Sequence, residues 1–348
     1  MPNSIVDQTI SLKCYYGKIH YHATSFCSLS SLRWFDDLWI VCMNTFVAIA
    51  WTLLLLSETV LLSACSSGKM SKHSLAEGYD YPHGTGSRLN VERNEEGILK
   101  LLSLNVAHGR KDTINQLLLS EETIRHNLLA IADVIAREDI DIVALQEADG
   151  PSAWSGNFDH VDLIARRAGY PWHFRADHAT SWLFSYGTAI LSRWPVSEII
   201  AHTFTPSPPT LNKGFLLGVM TWSASPDADK ARQIDIISVH LDFSSKQVRE
   251  RQIIEITDTL SKRNNPIIIL GDFNSEWSSE RSAVKLLAAK AQMKAYQPRD
   301  DNLSTYPKRG TRLDWILISN ELDFISYQVL PDPVSDHLAV VAEIKLID

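Results

Sequence analysis

Asp272 and Asn274 stand two residues apart just beyond the run Pro266-Ile-Ile-Ile-Leu-Gly271, where an extended chain aims both side chains the same way. A carboxylate and an amide presented together from a strand end suit a hard metal ion and a phosphate oxygen. Gly271 is expected to end the strand by letting the backbone turn. A second polar cluster, Ser335-Asp336-His337, precedes the last apolar strand, Leu338 to Ile344. Either cluster alone could be a polar turn closing a buried strand. Two of them in one chain point to a single site assembled from distant segments.

The elements that must carry these residues repeat the same pattern. Ile98-Leu-Lys-Leu-Leu-Ser-Leu reads as a strand ending on Asn105, and Asp141-Ile-Val-Ala-Leu-Gln as a buried strand ending on Glu147. Ile234-Asp-Ile-Ile-Ser-Val ends on His240, and Arg312-Leu-Asp-Trp-Ile-Leu-Ile brings Asp314. Between them, residues 121 to 137 place Ile124, Leu128, Ile131, Val134 and Ile135 at helical spacing. Further helices are expected near 159–168 and 245–262, and strands around 171–175, 187–192, 196–204 and 214–222. Each polar strand end costs desolvation if buried unpaired, so convergence on a metal and an anionic substrate would account for their placement.

Several other residues have two readings. His108 and Arg110 follow Asn105 closely and could touch substrate or belong to a solvated loop. Arg193 is expected in a turn near the site, and Arg249 and Arg251 on a solvated helix face. Trp154, Trp172, Trp182 and Trp222 are expected as partly buried core rather than a binding face.

Composition sets the limits. Acidic residues outnumber basic ones, 41 to 33, which disfavours tight non-specific nucleic-acid binding but leaves room for a local basic groove. The four cysteines, at 14, 27, 42 and 65, all precede the body of the chain, which therefore has no disulfide framework, Cys-ligated zinc or catalytic Cys. The length beyond Gly97 fits one large α/β domain, and no internal repeat is evident.

The first residues read as processing and tethering segments. Residues 1–42 show no sustained periodicity and are expected to be a non-structural upstream extension ahead of a start at Met43. Residues 43–64 are apolar and lead to Leu62-Ser-Ala-Cys65, which resembles a bacterial lipoprotein signal with Cys65 lipidated. Glu58 inside the run and the lack of Lys or Arg from Met43 onward depart from that pattern. A transmembrane anchor is the other reading. Residues 65–95 are expected to be a flexible tether and 96–348 the folded domain. Both readings put the domain on a membrane surface of the bacterial cell envelope, facing the periplasm or the exterior.

The strand-end motifs, in order, resemble the endonuclease/exonuclease/phosphatase superfamily: Ser-Leu-Asn105, Leu-Gln-Glu147, Gly187-Thr-Ala-Ile-Leu-Ser-Arg193, Val-His240-Leu, Gly-Asp272-Phe-Asn274, Leu-Asp314-Trp-Ile and Ser-Asp336-His337. The resemblance implies a four-layer α/β sandwich, two mixed β-sheets face to face with helices outside, and Mg²⁺-dependent hydrolysis of phosphate esters, with Mn²⁺ as a substitute. Carried over, Glu147 is the principal metal ligand with Asn105 beside it, and Asp272 and Asp336 are further candidates. Asp272 orients the attacking water, Asn274 bonds a phosphate oxygen, and His240 stabilises the phosphate or protonates the leaving oxygen. Asp314 supports the histidines or the phosphate loop. His337, paired with Asp336, is the leading general base and Asp272 the other.

The substrate could be nucleic acid, a phospholipid headgroup or a small phosphodiester, acted on by a monomer. A catalytically silent envelope binding module that kept the fold is the alternative; it has no chemical reason to keep this residue set.

Overall fold

The computed structural model describes residues 70–74, 97–223 and 231–347. The expected upstream extension, the apolar segment 43–64 and Cys65 lie outside the described residues. Among the described residues, no helix is long and apolar enough to cross a membrane.

Two βαβ units organise the molecule. In the first, β2 (Ile98–Asn105) leads through α1 (Glu121–Arg137) to β3 (Ile142–Asp149); in the second, β8 (Ala231–His240) leads through α3 (Lys246–Leu260) to β9 (Ile267–Asp272). A helical crossover makes each strand pair parallel, so both strands of a pair finish at the same end. The remaining strands are β1 (Met70–Ser74), β4 (Trp172–Thr180), β5 (Ser185–Ser192), β6 (Val196–Thr203), β7 (Gly214–Ser223), β10 (Lys294–Ala295), β11 (Asp314–Ile318), β12 (Leu322–Val329) and β13 (Val340–Leu346). Two further helices are α2 (His160–Ala168) and α4 (Ala283–Lys290). One sheet has the order β1-β6-β7-β8-β9-β11-β10 and the other β12-β13-β2-β3-β5-β4, each mixing parallel and antiparallel pairs. The four-layer sandwich is the architecture the motifs implied.

Period-two alternation sorts the strand residues into layers. Leu99 and Leu101 of β2, Ile234 and Ile236 of β8, Ile268 and Leu270 of β9, and Ile316 and Ile318 of β11 fill the layer between the sheets. Their neighbours Leu102, Leu104, Val143 and Leu145 face α1 and α2, and Ile237, Val239, Ile269 and Leu317 face α3 and α4. Each such side chain contributes about 1.5–3 kcal/mol when fully buried. The helices start where a polar side chain caps them: Ser120 accepts from Thr123 N–H, Asp159 from Val161 and Asp162, Ser245 from Val248, and Ser282 from Lys285.

Several expectations change. β9 runs through Gly271 to Asp272 instead of stopping at the glycine. A Cβ at Gly271 would sit 1.9 Å from the Val239 carbonyl oxygen, so the residue serves close approach of β8 and β9. Met70–Ser74, inside the stretch expected as a tether, forms a strand paired antiparallel with β6. Arg249 is buried and donates to the Asp242 carbonyl oxygen at 2.8 Å, so it is not on a solvated face. Arg193 lies at the opposite end from the site, held by Asp139 where β3 begins and β5 ends.

Candidate active site

The inner-face alternation that fills the core ends in polar residues. Continuing Leu99, Leu101 and Ser103 gives Asn105, and Ile234, Ile236 and Ser238 give His240. Ile268 and Leu270 give Asp272, and Ile318 and Ile316, read backwards, give Asp314. Register then aligns these ends: Asn105 lies beside Gln146, and Asp272 beside both His240 and Asp314.

Glu147 does not follow the alternation. Gln146 already takes the inner position, donating to Ser238 Oγ at 3.3 Å. The β3–β5 register slips between Gln146 and Ala148, and Glu147 has φ +51°. This bulge turns the carboxylate toward the site, where Oε1 lies 4.0 Å from both His240 Nε2 and Lys213 Nζ.

Asp272 is the hub. Its Oδ1 accepts from the Asn274 backbone N–H at 2.8 Å, and its Oδ2 from Asn105 Nδ2 at 3.1 Å and Asn274 Nδ2 at 3.3 Å. Asn274 Nδ2 also donates to the Leu241 carbonyl oxygen at 3.0 Å, so its amide positions Asp272 rather than standing free for a phosphate oxygen. His240 Nε2 is 3.5 Å and His337 Nε2 4.0 Å from Asp272 Oδ2. Burial, and then the neighbouring Asp314 charge, push the Asp272 carboxyl well above the usual carboxylate range.

The histidine partner differs from the expected one. His337 Nδ1 donates to Asp314 Oδ2 at 2.8 Å, and the same oxygen accepts from the Thr305 hydroxyl at 2.6 Å. Asp336 faces elsewhere, with Oδ2 2.9 Å from Arg110 Nη2 and 3.7 Å from Lys308 Nζ. The orienting role expected of Asp336 therefore belongs to Asp314, and two cations already balance the Asp336 charge. Burial works against the His337 imidazolium, but the Asp314 charge and hydrogen bond outweigh it and hold the pKa well above its ordinary value. The loop is fixed from behind by Ser335 Oγ, which donates to the Asn105 carbonyl oxygen at 2.7 Å.

His240 is in the opposite state. Burial, aided by the Lys213 charge, drives its pKa well below the ordinary value, so the ring is neutral. Lys213 Nζ, 3.4 Å away, makes Nδ1 the acceptor and leaves the proton on Nε2, toward Asp272.

Sequence reasoning passed over Lys213 and left His108 undecided. Lys213 precedes Gly214, where a Cβ would lie 2.2 Å from the His202 carbonyl oxygen. A polar residue ahead of an obligatory glycine at a strand start was the only available signal. His108 is buried, with Nδ1 2.7 Å from Asp149 Oδ1 and Nε2 3.2 Å from Glu147 Oε2.

The donor set fits a hard divalent cation. Side-chain atoms of Asp272, Asp314 and His337 lie within 4.8 Å of one another and the buried Asp314 Oδ1 has no hydrogen-bond partner; the charged His337 ring is itself no ligand. Glu147 supplies a further carboxylate. Burial alone would raise its pKa, but the charges of His108, Lys213 and His240 outweigh that and hold it well below the ordinary value, so it is ionised. Asn105 Oδ1 already accepts from Ala107 N–H at 3.0 Å, which aims the amide into the same space. Oxygen donors of this kind suit Mg²⁺ or Mn²⁺.

A sequence profile of the endonuclease/exonuclease/phosphatase family matches residues 102–337, spanning every motif of the site. The chain belongs to this family. It is 28% identical over 215 residues to a sphingomyelinase C of Bacillus cereus, covering 55% of this chain and 61% of that protein. The chain thus matches under two thirds of that relative's length. An endonuclease/exonuclease/phosphatase from Beutenbergia cavernae superposes with TM-score 0.55 at 19% identity, over 72% of each chain. A mannosyl-6-phosphatase from Bacteroides thetaiotaomicron superposes with TM-score 0.52 at 17% identity, over 72% of this chain and all of that one. These two likenesses show the fold.

Proposed function

We propose that the protein is a divalent-cation-dependent hydrolase of phosphodiesters, Mg²⁺ or Mn²⁺ being the ion, acting on lipid headgroups at a membrane surface. The observation that carries the hydrolase reading is the convergence of Asn105, Glu147, His240, Asp272, Asp314 and His337 on one buried space, with a histidine oriented by a carboxylate. A silent binding module has no use for that arrangement. A bound cation, held by Glu147 and Asn105, would neutralise phosphate charge.

The chain's own residues divide the remaining work. Asp272, with its raised pKa, takes a proton from the attacking water. The water oxygen bonds to phosphorus as one ester P–O bond breaks, and the leaving oxygen takes its proton from Nε2 of His337, charged and held by Asp314. Neutral His240 Nε2–H keeps its proton and donates a hydrogen bond to a phosphoryl oxygen. The products are a phosphomonoester and an alcohol.

The lipid reading is supported by the loop tips at this end of the molecule. Eight large apolar side chains among the described residues are exposed; Ile114, Leu117, Leu118, Trp182 and Phe243 are five of them. All five lie on loops that β-register places at the site end of the sheets. Trp182, 80% exposed, is thus a tip residue rather than partly buried core. The exposed Lys111 is on the first of these loops, Lys246 opens α3 just after Phe243, and Arg309 lies on the connection that leads into β11 at Asp314, all suited to headgroup phosphates. The sphingomyelinase C relative acts on the same class of ester, and the acidic balance disfavours a polynucleotide.

The membrane tether belongs to this proposal: lipidated Cys65, or the apolar run before it, would keep the domain at the envelope surface. Assaying the purified chain with Mg²⁺ against sphingomyelin and phosphoinositide vesicles, bis-p-nitrophenyl phosphate, DNA and RNA tests the reading. Turnover of nucleic acid alone would replace it with a nuclease, and no turnover of any ester would leave the binding module.

A further inference from the structure

Two strained backbone segments meet at the metal-facing carboxylate, and one side chain joins them. Ala107, His108 and Gly109 have φ of +47°, +54° and +70°, and Glu147, on the bulge opposite, has φ +51°. Non-glycine residues persist in this region only where surrounding contacts hold them. The Val106 N–H bonds the Gln146 carbonyl oxygen at 2.9 Å, bringing the two segments side by side. His108 then bridges them: Nε2 is 3.2 Å from Glu147 Oε2, and Nδ1 is 2.7 Å from Asp149 Oδ1. Its ring is held edge-on by Trp154 and Tyr186, with centroids 5.2 and 4.8 Å away. A ring fixed on two sides, hydrogen-bonded to Asp149 through Nδ1 and in ionic contact with Glu147 through Nε2, has one orientation.

The consequence falls on Glu147. The ionic contact of Oε2 with His108 restrains the carboxylate and leaves Oε1 facing the space beside His240 and Lys213. We propose that His108, itself oriented by Asp149, is a positioning residue that presets the Glu147 carboxylate for a divalent cation. This rests on the proposed function in one respect, that Glu147 receives the cation. A free carboxylate loses rotational freedom when it takes up an ion; one already held loses less, and partners of this kind are typically worth about 10–100-fold in metal affinity or activity.

The two contacts, to Asp149 and to Glu147, can be separated by substitution. In His108→Gln the amide nitrogen replaces Nε2 and can still donate to Glu147; in His108→Asn it replaces Nδ1 and reaches only Asp149. Mn²⁺ binding to the purified full chain, followed by electron paramagnetic resonance, gives a readout independent of turnover, and thermal melting of the metal-free proteins reports folding. We expect His108→Asn and His108→Ala to bind Mn²⁺ about 10–100-fold more weakly, with His108→Gln within about threefold of the wild type. Wild-type affinity in a folded His108→Asn or His108→Ala overturns the proposal. So does His108→Gln weakening binding as much as His108→Asn, because Asp149 rather than Glu147 would then be the contact that matters. Absence of Mn²⁺ binding by the wild type itself would instead strike the proposed function.

Discussion

Asp314 Oδ2 lies 2.8 Å from His337 Nδ1 across 23 positions of sequence, whereas the adjacent Asp336 is bound to Arg110 and Lys308. Neighbours in sequence point apart, and the pairing is made by β11, whose first residue sits opposite Asp272 in β9. The two aspartates should therefore differ on substitution. Asp314→Asn removes the charge that holds the His337 ring, and turnover should fall roughly 10²–10⁴-fold. Asp336→Asn leaves that charge in place and should cost turnover far less, whatever the loss of its pair with Arg110 does to stability. Equal losses in kcat/KM would contradict this division.

The same pairing sets the pH behaviour of turnover. If Asp272 is the base, activity requires its carboxylate and rises with pH through its pKa, which lies above the ordinary value of about 3.9. His337→Ala should then lower the rate at every pH and leave the acidic limb in place. An acidic limb that disappears in His337→Ala would return the base role to His337.

Metal removal has a simple expectation. EDTA should abolish turnover, and Mg²⁺ or Mn²⁺ should restore it. Glu147→Gln keeps the side-chain shape but loses the charge a hard cation needs, so activity should fall by orders of magnitude with little change in melting temperature. Turnover indifferent to EDTA would dismiss the metal-dependent reading.

The exposed loop tips make a prediction that separates docking from chemistry. The triple substitution Ile114→Ser, Trp182→Ser and Phe243→Ser should weaken binding to lipid vesicles and cut hydrolysis of vesicular substrate about tenfold or more. Hydrolysis of soluble bis-p-nitrophenyl phosphate should be unchanged. Parallel loss on both substrates would mean that these residues shape the site rather than the surface.

Stability should respond to a histidine outside the reaction. His178 sits between the hydroxyls of Thr188 and Thr203, at 2.9 and 3.2 Å, and burial drives its pKa down to about 3. The unfolded chain takes up this proton below about pH 6.5, while the folded protein resists until near pH 3. The stability contributed by neutral His178 is thus complete above pH 6.5 and is lost as pH falls toward 3, at about 1.4 kcal/mol per pH unit. His178→Gln cannot protonate, so its unfolding free energy should fall less steeply over that window. Identical slopes in denaturant melts would show that other groups set the acid response.

Residue order and type by themselves determined the two βαβ units and the family. Apolar runs broken by one polar residue carry a period of two, helix α1 carries its own spacing, and both survive without knowledge of contacts. They also determined that Asn105 and His240 finish their strands, because inner-face alternation is local; that β9 runs on to Asp272 and that β11 begins at Asp314 came with the pairing of the two strands. Glu147 was legible as a strand-end carboxylate, but its inward turn depends on a bulge, which is a property of pairing with β5. His108 was readable only as a polar loop residue, since its partners come from β3. Arg249 looked solvated because a helix shows its charge pattern in sequence and not the Asp242 carbonyl that receives it. Choosing Asp314 over Asp336 for His337 also needed the tertiary structure. Sequence adjacency brings two backbones together, but a hydrogen bond requires side chains that face each other, and in a strand-end loop next neighbours diverge.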